Sequence, residues 1–107
     1  MAELSDQEIV AACARAVGIK VYELHGKLWC DFRAVGSQFY SPITDRAQAM
    51  ELVEKLHLFV GWSPRSNKWA VTPHNDTGPE GYDSNLLRAI CLCAARVQIE
   101  KEKNANV

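Results

Sequence analysis

The stretch from Phe39 to Leu58, FYSPITDRAQAMELVEKLHL, constrains the fold of this chain more than any other. It holds a strand end, a proline-set turn, a helix start, an amphipathic helix and the approach to another strand. Phe39 and Tyr40 are aromatic and favour extended backbone. Pro42 pushes Ser41 out of the helical region, so the strand stops there. Thr44 or Asp45 can cap the next helix by accepting a backbone N–H. Asp45 and Gln48 have capping-box spacing, and Asp45 complements the positive helix end. Ala49, Met50, Val53 and Leu56 then fall on one helical stripe, with the pair Glu51–Lys55 off it. Such a helix needs a hydrophobic surface to lie on, which the flanking strands must supply.

The rest of the chain reads in the same local terms. Ser5-Asp6-Gln7-Glu8 is a capping box, with Ser5 as cap and Glu8 at the third position. Ile9, Ala12, Cys13, Ala16 and Val17 form an apolar face, and Gly18 ends the helix in the left-handed region. Residues 20–24 and 27–32 flank His25-Gly26 as a hairpin. A two-residue loop pairs Leu24 with Lys27 and Tyr22 with Trp29, leaving Val21, Glu23, Leu28, Cys30 and Phe32 on the other face. Residues 34–37 read as a turn and 38–40 as a short third strand. After the central helix, residues 58–62 and 68–72 are strands around a turn at 63–67. Trp62 and Trp69 stand opposite each other if that loop has four or six residues. Residues 73–82, with two prolines and two glycines, read as loop. Asp83 or Ser84 caps the last helix, whose apolar face is Leu86, Leu87, Ile90, Cys91, Ala94 and Val97. Arg88 and Arg96 lie at its margin.

The element order is α-β-β-β-α-β-β-α. Short hairpin connections predict an α+β protein, with a mainly antiparallel sheet of four to five strands and three helices packed on it. Apolar residues on both faces of the hairpin predict helices on both sides of the sheet. At 107 residues the chain suits one domain, with 1–103 folded and 104–107 frayed.

Charge limits the function classes. The chain has 12 basic and 13 acidic residues, net −1, spread evenly. A dedicated duplex-binding protein carries a basic surplus, and a DNA mimic a strong acidic one. No apolar run approaches the roughly 20 residues of a membrane span. The acidic opening MAELSDQE lacks a signal-peptide pattern, so a cytoplasmic location is expected.

The chemistry-bearing residues do not form a reactive set. Cys91 and Cys93 lie two apart on a helix, about 200° around it, and cannot grip one metal. With Cys13 and Cys30 they read as buried free thiols. His25, His57 and His74 lack metal-ligand spacing, so neither metal nor cofactor is expected. Ser41, Thr44 and Asp45 suggest a nucleophile beside a carboxylate, but turn and cap duty explains all three. No phosphate-cradling glycine loop is present, and no catalytic residue is assigned.

Four segments carry a family resemblance. They are LSDQEIVAACARAVGI with its closing Gly18, FYSPITDRAQAMELVEKLHL, the tryptophan strand KWAV, and LLRAICLCAARV. In these the chain resembles small phage proteins of the ABA-sandwich domain family and the related NinX-type proteins. The resemblance implies an α/β/α layered fold and a phage origin. It implies no reaction. The hairpin VYELHGKLWCDF departs from the shorter connection of that family.

The candidate binding residues are Trp62, Arg65, Lys68, Trp69, Tyr82 and Arg88. A hairpin with two tryptophans and two cations at its tip can stack on a base or anchor a protein partner. The simpler alternative is that the tryptophans are core. Arg88 could reach a carboxylate such as Asp45 or an acidic ligand, with Tyr82 beside it on a rim. Two functions fit. The first is a phage accessory protein that inhibits a bacterial antiviral defence system, as anti-CRISPR proteins do, by covering a host protein surface, with a homodimer as one working form. The second is capture of a nucleotide signal between Trp62, Trp69, Arg65 and Arg88. A nucleic-acid-associated phage regulator is a third.

Overall fold

The capping box at the start of the chain forms as its spacing requires. In the computed structural model, which describes residues 4–32, 36–73 and 81–105, Glu8 N–H donates to Ser5 Oγ at 3.1 Å and Ser5 N–H to Glu8 Oε1 at 3.4 Å. Helix α1 (Asp6–Ala16) ends when Gly18 turns left-handed, φ 75°. Ile19 N–H then reaches the Ala14 carbonyl and Gly18 N–H that of Arg15, so two orphan carbonyls are satisfied.

Strands β1 (Val21–Leu24) and β2 (Lys27–Phe32) form the expected hairpin in the expected register, from Val21↔Cys30 to Leu24↔Lys27. His25 and Gly26 both take positive φ, 54° and 76°, the geometry that matches strand twist in a two-residue loop. Strand β3 (Gly36–Phe39) begins inside the segment read as a turn, and β2 lies between β1 and β3 in sheet 1. Leu28 and Cys30 are buried against Val10 and Ala14 of α1, with Tyr40. The opposite face carries Tyr22 and Leu24, 40% and 49% exposed, so no helix covers it there.

Ser41 through Asp45 make the tight turn that the proline sets up. Asp45 N–H donates to the Ser41 carbonyl at 2.8 Å, and Gln48 N–H donates to Asp45 Oδ1 at 3.1 Å. Asp45 is therefore the cap of α2 (Arg46–Leu56). Gln48 does not close a full box; its side-chain oxygen accepts from Ser41 N–H at 2.7 Å and ties the helix back to the turn. Ala49 and Leu52 are buried, Val53 and Leu56 are partly buried along the same stripe, and Met50 is 40% exposed. The i, i+3, i+4, i+7 series starting at Ala49 selects Leu52 and leaves Met50 on the flank. His57 closes the helix left-handed, φ 53°.

Strands β4 (Phe59–Ser63) and β5 (Lys68–Thr72) pair around a four-residue loop, which sets Trp62 against Trp69. The segment read as loop contributes a further strand, β6 (Gly81–Asp83), paired with β5. Residues 74–80, including His74, lie outside the described residues. Helix α3 (Leu86–Ala105) runs past the expected boundary at residue 103. Its cap is Asn85, not Asp83 or Ser84: Asn85 Oδ1 accepts from Arg88 N–H at 3.1 Å, and Asp83 Oδ1 accepts from Asn85 N–H at 2.8 Å.

The protein is α+β and antiparallel, in the expected element order. The strands divide into two three-stranded sheets, β1-β2-β3 and β4-β5-β6, in place of one sheet of four to five. Sheet 1 rests on α1, sheet 2 on α3, and α1 and α2 both pack against α3. The helices thus join the sheets, instead of sandwiching one. In α3, Ala89 and Cys93 are as fully buried as Ile90, Cys91 and Ala94, because sheet 2 covers a second side of the helix.

Gly81 is where this close packing is tightest. A Cβ there would fall onto the Ala89 carbonyl oxygen and 2.7 Å from the Cys93 nitrogen, both helix backbone that cannot move aside. Gly81→Ala is expected to cost about 2–3 kcal/mol. Gly61, whose Cβ would meet open space, serves as the control, at within about 0.5 kcal/mol for Gly61→Ala. Urea unfolding of the two variants checks this; equal midpoints would contradict the packing.

Candidate functional site

Strand alternation sorts the side chains of sheet 2 onto two faces. Val60, Trp62, Trp69, Val71, Gly81 and Asp83 share the face toward α3, by their pairing in register. Phe59, Lys68, Ala70 and Tyr82 share the other. On the α3 side, Val71 is fully buried and Trp69 half-buried. The helix covers β5 and β6 but not the β4 side, so Val60 and Trp62 stay 40% and 47% exposed. Trp62 is therefore not core. Its ring meets that of Trp69 edge-on, with centroids 5.2 Å apart and planes at 68°, a favourable aromatic arrangement. On the outer face Phe59 and Tyr82 are 55% and 49% exposed. Arg65 and Lys68 are exposed at and beside the hairpin tip.

Arg88 is held elsewhere. Its Nη1 pairs with Asp6 Oδ1 at the start of α1, and its Nε lies 3.4 Å from Asp83 Oδ2. Asp45, the partner that its position suggested, caps α2 instead. The guanidinium thus clasps the first turn of α1, the end of β6 and the first turn of α3. Through Asp83, which stands opposite Trp69 in register, Arg88 is linked to the tryptophan row. The sequence-derived set is therefore brought together in part: Trp62, Trp69 and, indirectly, Arg88 on one face, Tyr82 on the reverse, Arg65 and Lys68 at the tip. They do not close around one pocket, since the tryptophan rings touch each other and Arg88 already has two carboxylates.

A separate cleft of about 270 Å³ opens where α1 begins, lined by Asp6, Val10, Lys27, Tyr40, Ser41 and Thr44 among others. None of the six candidate residues lines it. Ser41 and Thr44 are engaged with each other, the Thr44 hydroxyl donating to Ser41 Oγ at 2.8 Å, as turn duty requires. Burial pushes the Tyr40 phenol well up from its ordinary range, so it stays neutral. No group of three or more metal-ligating side chains occurs among the described residues, and no helix there is long and apolar enough to cross a membrane.

The sequence reading placed Phe59 and Val60 in a strand and did not single them out as binding residues. It also missed Asp6 as the partner of Arg88, because nothing local links residues so far apart. The absence of charge in FVGWS was the available signal that β4 presents an apolar edge.

All four thiols are free and buried. Cys13 Sγ–H donates to the Cys91 carbonyl at 3.4 Å. Hydrogen bonding with Cys13, followed by burial, pushes the Cys91 thiol up, out of reach of thiolate formation. A disulfide-exchange reagent is expected to leave native protein unlabelled at neutral pH and to titrate all four cysteines in denaturant. Rapid labelling of any thiol in the native protein would contradict this burial. Comparison with protein-family models, with curated proteins and with solved structures finds no match to this chain.

Proposed function

We propose that this chain works by binding a protein surface, as a phage-encoded accessory factor that inhibits a bacterial antiviral defence system. The observation that carries the binding reading is the concentration of exposed large apolar side chains on sheet 2. Phe59, Val60, Trp62 and Tyr82 are all 40% or more exposed and sit on its two edge strands. Cations at the hairpin tip, Arg65 and Lys68, border them. Aromatic anchors with arginine at the margin are the composition of interface hot spots, and exposed apolar surface on either face of the sheet has a solvation cost that a partner removes. The phage origin rests on the resemblance of the four segments to ABA-sandwich proteins, and the anti-defence role on a small phage-like domain to which no catalytic residue is assigned. Inhibition by covering a surface asks for no acid, base or nucleophile of the inhibitor itself.

Tyr82→Ala is expected to weaken capture of the host partner about tenfold or more. The variant should still fold cooperatively, because half of the residue is already in solvent. Co-purification from defended hosts and phage plating on them provide the measurement. Unchanged plating on every defended host tried would sink the proposal. A thermal-shift panel of nucleotides separates the sequestration alternative, because a captured ligand raises the melting point by mass action.

A further inference from the structure

Sheet 2 has two edges among the described residues, β4 and β6. Strand β6 has α3 close against it. Among the described residues, strand β4 has no such cover. Edge strands normally carry a charge, a proline or a bulge that stops another chain from pairing. Strand β4 reads FVGWS, with neither charge nor proline, and its register with β5 runs unbroken from Phe59↔Thr72 to Ser63↔Lys68.

The backbone of β4 is also aimed for pairing. The Ser63 carbonyl accepts from Asn67 N–H at 2.8 Å across the loop, so it points into the hairpin. Alternation turns Gly61 and Phe59 the same way and leaves the N–H and C=O groups of Val60 and Trp62 at the open edge.

We propose that β4 pairs antiparallel with β4 of a second copy of this chain, about a two-fold axis through Gly61. Val60 then exchanges both backbone hydrogen bonds with Trp62 of the second copy, and Trp62 with Val60. Phe59 faces Ser63, and Gly61 faces itself. The strand is its own complement, with no charge to oppose another copy. Two three-stranded sheets become one of six strands, and Val60 and Trp62 lose much of their exposure. The pairing stands or falls independently of any host partner.

Sedimentation velocity of the full chain over a range of concentrations should show the mass rising from one chain to two. Gly61→Lys has room for its side chain in the single chain, where a Cβ meets nothing within 4 Å. Across the two-fold axis it sets like charges face to face. It should sediment as one chain at every concentration, with an unchanged circular dichroism spectrum. Gly61→Cys should link two copies by a disulfide under mild oxidation, since a non-hydrogen-bonded antiparallel pair has Cα atoms about 4.5 Å apart, within disulfide reach. The native thiols are buried and do not compete. A wild-type chain that stays single at all concentrations overturns the proposal. So does a dimer that persists in folded Gly61→Lys, or a Gly61→Cys that crosslinks no faster than Arg65→Cys; if Gly61→Lys fails to fold, the crosslinking rates decide.

Discussion

The near approach of α3 to its neighbours is what the remainder of the structure depends on. Ala89, Cys93, Ala94 and Ala95 are fully buried and small, so α1, α2 and sheet 2 can all come close to one helix. At β6 the approach is close enough that only glycine fits, at Gly81. At α1 it brings Cys13 Sγ within 3.4 Å of the Cys91 carbonyl. Small residues lose little or no side-chain entropy on burial, and they let many weak dispersion contacts form at once. Larger side chains add anchor points: Ile9, Leu52, Ile90 and Val71 are fully buried, each worth about 1.5–3 kcal/mol in transfer free energy.

This packing sets what stays in solvent. Helix α3 lies along β5 and β6, so β4 overhangs it, and Val60 and Trp62 are left partly open beside Trp69. The apolar surface of sheet 2 follows from the width of a sheet exceeding that of the helix beneath it. The same geometry separates the chemistry. Arg88 is drawn to Asp6 and Asp83, where it ties α1, β6 and α3 together and meets the tryptophan row only through Asp83. The cleft at the start of α1 is lined by a different set of residues, from the hairpin turn and the 40–44 turn.

Much of the local structure was legible. The Ser5–Glu8 box, the left-handed Gly18, the His25-Gly26 turn and the Trp62↔Trp69 pairing each involve residues a few positions apart, where spacing fixes geometry. The Glu51–Lys55 pair forms at 2.8 Å, as i,i+4 spacing allows. The misses share one cause. Two apolar series run through α2, one taking Leu52 and the other Met50, and packing against α3 decides in favour of the one that starts at Ala49. Strand β6 is three residues long and follows a segment rich in glycine and proline. Its strand character comes from pairing with β5. The cap of α3 moved to Asn85 because Asp83 belongs to that strand.

Hydrophobic spacing and cap chemistry in the sequence determined the helices, the hairpins and their order, because these depend on side chains within about one or two turns of each other. Tertiary structure decided the division into two sheets, the partner of Arg88 and the exposure of Phe59, Val60, Trp62 and Tyr82. Each of those depends on which distant surfaces meet, and burial is shared among elements whose mutual placement no local pattern encodes.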